Sequence, residues 1–339
     1  MIKVSVFICF VVAAVCSLYG VALTPPGKNP FTGKDSLQLI DLSVMASPTV
    51  ACLKLRHADD HAPFALGLFG NSRILMISAR AVDRSPEQFF NFALSSESLS
   101  GSVLLAERLE TMGRLPKTLV FGLDNLHLQR DNVPIWPSFW TRITHAANMA
   151  LSALADGAVI TATRRTWRFL WGEAVRFDSI FGPTLLQAGV ARIINDTALA
   201  SATLGTGGYR SDGSQAHTTR AAITPAIGHT TSRLDLALFR QNLETLGALA
   251  AAGHNVILIE TPIYPDSQRQ MNETLPDYVR ASRIVWHDTC RSFGLNCIDA
   301  PLIADTPSDP WYDSTHAPAR PWAQFIAKAI SQASAGAKN

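Results

Sequence analysis

Charge is scarce in this chain. Asp, Glu, Lys and Arg make up 17% of its 339 residues, and the formal balance is only +2. No basic run with interleaved aromatics occurs, so neither the net charge nor a local patch argues for nucleic acid. A heptad pattern, a solenoid-type repeat and a long low-complexity tract are also missing, which excludes coiled coils, repeat arrays and disordered tails. Cysteine is sparse. Of the five, Cys9 and Cys16 lie in an apolar N-terminal stretch, and Cys52, Cys290 and Cys297 remain. No close Cys-x-x-Cys pair exists, so no cysteine-held metal centre is expected. In an oxidising compartment Cys290 and Cys297 are a candidate disulfide across a short loop, and one odd thiol is left over.

The sequence has instead a large apolar share, 47%, and enough length to bury a sizeable core. Lys3 is followed by an uncharged apolar stretch from Val4 to Leu23. About 20 such residues can span a bilayer. One basic residue ahead of it and small residues near its end equally resemble a signal peptide. Residues 1–24 are therefore read as a signal peptide or a membrane anchor, 25–45 as a linker, and 46–335 as an exported body. Cys16 lacks the leucine expected three residues before a lipidated cysteine.

The body alternates apolar runs with helical patterns. Strands are expected at 64–69, 117–123, 255–261 and 296–300, and helices at 86–112 (with a break near 95–101), 234–252, 277–293 and 318–333. This rhythm implies crossover units and a mostly parallel sheet covered on both faces, a three-layer α/β/α sandwich of flavodoxin-like type. Two regions fit the alternation less well: a helical-looking insertion at about 142–200 and a Gly/Ser/Thr-rich loop at about 201–231. In parallel sheets the site lies at the carboxyl ends of the strands, so the loops after Phe69, Leu123, Thr261 and Ala300 are expected to converge.

Two of those loops carry reactive side chains. Gly70-Asn71-Ser72-Arg73 follows a strand and opens a helical pattern. A serine there sits where a helix dipole and backbone N–H groups favour a developing oxyanion, although serine also caps helices. Asp313-Ser314-Thr315-His316 precedes the last helix. An Asp three residues ahead of a His can fix its tautomer and stabilise the imidazolium. Placed at one sheet edge, the two segments supply nucleophile, base and orienter for acyl transfer.

Further segments share a pattern with them. These are Asn91 to Ser98, Val120-Phe121-Gly122-Leu123-Asp124, and the strand-and-proline segment Ile257 to Pro265. With the two reactive loops, they resemble the SGNH (GDSL-like) hydrolase superfamily over residues 64–330, apart from the insertion. The narrower resemblance is to its exported, membrane-tethered branch, which includes polysaccharide O-acetyltransferase subunits. It implies Ser72 as nucleophile, His316 as base and Asp313 as orienter. The family's Asp before the nucleophile is Asn71 here, and its oxyanion-hole Asn aligns with Asp124, with Asn125 one residue later. An ionised Asp would repel an oxyanion. Either Asn125 turns in, or backbone N–H groups of Ser72 and the second-motif loop near Ser96 hold the oxyanion. Arg73 is a further pocket candidate.

Trp311 is the candidate for stacking on a sugar ring, because it lies nearest the Asp313–His316 loop. His127 is a candidate pocket residue. His57 and His61 have ligand-like spacing, but they precede the first strand and read as a solvated loop. Gly205 to Gly213 lacks the Gly-Lys-Ser/Thr ending of a phosphate loop and reads as a candidate lid. No metal, nucleotide or other cofactor is expected. The expected activity is serine-dependent acyl transfer on an extracytoplasmic glycan. In the branch it resembles, a separate membrane-bound O-acyltransferase often passes the acyl group across the membrane. A free carbohydrate or lipid esterase is the alternative of the same class. A catalytically silent binding or assembly protein for polysaccharide modification is the alternative of another class.

Overall fold

The computed structural model describes residues 31, 39–41, 47–95, 97–124, 192–194, 208–216, 223 and 236–336. Residues 1–30, Ser96, Asn125, His127 and all of the 142–200 insertion except 192–194 lie outside them. Among the described residues no helix is long and apolar enough to cross a membrane.

A small antiparallel ladder pairs β1 (Leu39–Asp41) with β5 (Arg192–Ile194). Among the described residues the main sheet has five strands: β2 (Leu66–Gly70), β3 (Phe89–Asn91), β4 (Thr118–Leu123), β6 (Asn255–Glu260) and β7 (Asn296–Ile298). All pairings are parallel, in the order β3-β2-β4-β6-β7. The chain is thus α/β with a parallel sheet. Parallel strands buried on both faces need near-continuous apolar runs, and Leu66-Gly67-Leu68-Phe69-Gly70 is buried at every position. Phe69 stacks between Phe92 and Phe121 at 5.2 and 4.9 Å.

The helices are α1 (Ser47–Asp59), the single-turn α2 (Ser72–Leu75), α3 (Leu99–Thr111), α4 (Leu236–Ala251), α5 (Pro265–Thr274), α6 (Pro276–Ser292) and α7 (Ala319–Gly336). Ser98 caps α3 by accepting from the Gly101 N–H at 3.1 Å. Pro265 and Pro276 open α5 and α6, where a missing N–H costs nothing. α4 packs on β6, α3 and α6, and α7 packs on β6 and on the short turn Arg80–Val82. Cys290 at the end of α6 is bonded to Cys297 in β7, pinning that helix to the edge strand.

The sequence pattern mistook the segment that begins at residue 86. The helix expected from residue 86 is instead the short edge strand β3, followed by α3 after the cap at Ser98. Phe89 and Phe90 are fully buried beside β2, and burial against a neighbouring strand outweighs the local pattern.

The order reverses at β2. The chain grows from β2 to β3 on one side, then crosses to β4 on the other. Such a switch point opens a crevice at the carboxyl ends of the two inner strands. Gly70 ends β2 and Leu123 ends β4, so Ser72 and Asp124 flank that crevice.

Candidate active site

β2 delivers the chain to the turn that carries Ser72, the candidate nucleophile. Gly70 has φ +139°, which L side chains rarely adopt, and a Cβ there would lie 2.6 Å from the Gly122 carbonyl oxygen. That close approach brings the residues after Gly70 beside the end of β4. Asn71 caps α2, accepting the Arg73 N–H at 3.0 Å. Its own Nδ2 donates to Asp124 Oδ2 at 2.9 Å, and Arg73 Nε lies 3.4 Å from the same oxygen. The Asp124 carboxylate is thus engaged by both neighbours of Ser72. Arg73 Nη1 is buried and has no hydrogen-bond partner among the described residues.

The histidine loop is equally ordered. His316 Nδ1 lies 2.7 Å from Asp313 Oδ2. The other carboxylate oxygen accepts from the Thr315 hydroxyl at 2.7 Å, the Thr315 N–H at 2.7 Å and the His316 N–H at 2.9 Å. Burial pushes the Asp313 carboxyl up, but the bonds from Thr315 and His316 outweigh it and hold it down at about 2. Asp313 therefore stays ionised at neutral pH. It takes the Nδ1 proton of His316 as a hydrogen bond, which leaves Nε2 as the basic nitrogen of the neutral ring. Nε2 is closed to solvent.

The two halves meet through α7. Trp322 Nε1 donates to the Arg73 carbonyl at 3.1 Å across 249 residues, so the helix following His316 is tied to the Ser72–Arg73 turn. Ser72 is half-buried, and among the described residues its hydroxyl has no hydrogen bond, to His316 or to any other group. Catalytic bonds are often formed only once substrate is seated.

Several expected roles need correction. Trp311 is fully buried; its Nε1 donates to the Ile303 carbonyl at 3.0 Å and its ring meets Tyr264 edge-on. It packs the base of the histidine loop and presents no face to a sugar. His57 lies in α1 rather than a solvated loop, buried among Phe31, Phe64 and Phe90, and His61 sits just beyond the helix with its ring 4.0 Å from that of His57. Burial, with His61 nearby, pushes His57 down to about 3 against the pull of Asp60. Among the described residues no cluster of three His, Cys, Asp or Glu could hold a metal.

The candidate lid is fastened down where it is described. Asn91 N–H donates to the Asp212 carbonyl at 2.8 Å, Gln215 N–H to Leu75 at 2.9 Å, and Ala79 N–H to Asp212 Oδ2 at 2.6 Å. Lys54 completes this strap. It is fully buried, and its ammonium donates to the carbonyls of Asn91 at 2.7 Å, Ala93 at 2.7 Å and Gly213 at 2.9 Å. Burial pushes Lys54 well below its ordinary value, while Asp212 pulls it up. Asn91 adds an amide that donates to Ile74, Leu75 and Ile77 carbonyls, fixing α2 to β3. Lys54 was not evident from any motif, and Asn91 entered only as the first residue of the Asn91 to Ser98 segment, with no role assigned. The available signal was a lysine at helical spacing from Val50, His57 and Ala58, on the apolar stripe of its own helix.

Comparison with protein-family models, curated proteins and solved structures finds no match for this chain.

Proposed function

We propose that the chain is a serine-dependent acyl-transfer enzyme of the SGNH type, acting on O-acyl groups of an extracytoplasmic glycan. The observation that carries this reading is the His316–Asp313 pair at 2.7 Å, in a loop whose following helix is bonded to the Ser72–Arg73 turn. The finer architecture proposed is a three-layer α/β/α sandwich. The strand order, with the second sheet strand outside the first and the others following on the far side, supports a flavodoxin-like sheet.

In this mechanism, substrate seating brings Ser72 Oγ to His316 Nε2. The imidazole takes the hydroxyl proton as Oγ attacks the acyl carbonyl, and Asp313 stabilises the imidazolium. The Ser72 backbone N–H at the α2 N-terminus donates to the tetrahedral oxyanion, since the Arg73 N–H is held by Asn71 and those of Ile74 and Leu75 by the Asn71 carbonyl. As the ester bond breaks, His316 returns the proton to the leaving alcohol, and the acyl group remains on Ser72. Water or a sugar hydroxyl, deprotonated by His316, then attacks the acyl-enzyme. The product is a free acid or a new ester, and Ser72 recovers its proton. The apolar stretch at 4–23 supports a site beyond the membrane, with a membrane-bound acyl donor as partner.

The test is hydrolysis of p-nitrophenyl acetate by the full-length chain in detergent, beside Ser72→Ala and His316→Ala. Loss in both variants supports the reading; equal rates in all three contradict it. Adding an oligosaccharide acceptor separates transfer from hydrolysis. The second reading is a catalytically silent binding protein on the same fold. The missing Ser72–His316 hydrogen bond favours it, and an inactive parent that retains glycan binding would support it.

A further inference from the structure

The two departures from the SGNH pattern, Asn71 and Asp124, meet in space. The two residues are 8% and 5% exposed, and their side chains are joined by the 2.9 Å bond from Asn71 Nδ2 to Asp124 Oδ2. Relative to the pattern the chain resembles, amide and carboxylate have exchanged places, and one hydrogen bond between the two positions results. Arg73, whose side chain is only 11% exposed, supplies the charge that balances Asp124. A carboxylate held in this way, with a cation and an amide on one oxygen, serves as an acceptor for protein donors.

We propose that Asp124 is a positioning residue, which clamps Asn71 and Arg73 on either side of Ser72 and so fixes the nucleophile turn, instead of contributing to an oxyanion hole. This rests on Ser72 being the nucleophile. The clamp works through geometry: the short α2 has one turn, and its entry residue Asn71 is held both by its own cap to the Arg73 N–H and by Asp124. Removing the carboxylate frees a buried guanidinium and loosens both flanks of the serine. Placing a second carboxylate at position 71 sets like charges at hydrogen-bond distance, where they cannot both ionise without repulsion.

The exchange gives the test. Full-length parent, Asn71→Asp, Asp124→Asn and the double variant are labelled with a fluorophosphonate, which forms a Ser–O–P bond and releases fluoride and a proton. The maximal labelling rate and the probe concentration at half-saturation are measured separately, with melting temperature as the folding control. The expected result is a loss of about 100-fold in maximal rate for Asn71→Asp, with half-saturation little changed. Asp124→Asn loses about tenfold, and the double variant regains at least about tenfold over Asn71→Asp, because the bond is re-formed with donor and acceptor reversed. If Asn71→Asp does not fold, Asp124→Asn alone decides: labelling at the parent rate overturns the clamp. A labelled parent with no rescue in the double variant also overturns it, and leaves the serine reading standing. A parent that does not label at all overturns both.

Discussion

Trp322 Nε1 donates to the Arg73 carbonyl at 3.1 Å, and this bond joins the Ser72 turn to the helix that follows His316. The C-terminal helix thereby sets where His316 sits relative to Ser72. Trp322→Phe keeps the buried ring and removes the donor. Stability should fall by about 1 kcal/mol, and p-nitrophenyl acetate hydrolysis by about tenfold. Thermal melting and the hydrolysis rate check the two effects, and an unchanged rate would show that the bond is structural only.

The close approach of β2 and β4 predicts an asymmetry between two glycines of positive φ. Gly70 and Gly113 have φ of +139° and +66°, but a Cβ at Gly70 would lie 2.6 Å from a backbone oxygen, while one at Gly113 would meet nothing within 4 Å. Gly70→Ala should cost about 3 kcal/mol and Gly113→Ala about 1 kcal/mol. Denaturant unfolding of both variants measures the difference.

Lys54 should be a stability determinant out of proportion to its surroundings. Lys54→Met keeps the length of the side chain and strands three buried carbonyls, so a loss of at least about 3 kcal/mol is expected. Hydrogen exchange should speed up locally at 91–95 and 208–216, the segments the ammonium joins. Equal protection in parent and variant would contradict its role as the strap's anchor.

Acid should destabilise the protein in two separable steps. His57 titrates at about 3 when folded against 6.5 when unfolded, so the unfolded chain binds the extra proton first. Its contribution is complete above pH 6.5 and is lost as pH falls toward 3. Asp313 is held at about 2 against 3.8, so its contribution is lost only below pH 3.8. His57→Phe, placed in an aromatic cluster, should flatten the first step and leave the second. Melting temperature followed from pH 7 to pH 2 tests this.

The parts of the fold legible in sequence are those with a single dominant signal. β4 and β6 are apolar runs bounded by Gly or Pro and buried on both faces, so their pattern leaves little choice. β3 was not legible, because three residues at a sheet edge carry too short a period to stand out from the helical pattern read across 86–112. Asp313 and His316 stood out because they lie three residues apart in one loop, and Ser72 because it follows a strand and opens a helical pattern. The clamp did not, because Asn71 and Asp124 are 53 residues apart and each alone reads as a defect. Trp311 misled for a related reason: nearness in sequence to His316 says nothing of which way an indole faces, and this one turns inward to the Ile303 carbonyl.

The central claim is that Ser72 is a nucleophile activated by His316. Its most direct test is fluorophosphonate labelling of the full-length chain, followed by peptide mass spectrometry. A single adduct on the peptide carrying Ser72, absent in Ser72→Ala and strongly slowed in His316→Ala, is the predicted result. An adduct on another serine, or equal labelling in parent and His316→Ala, would contradict it.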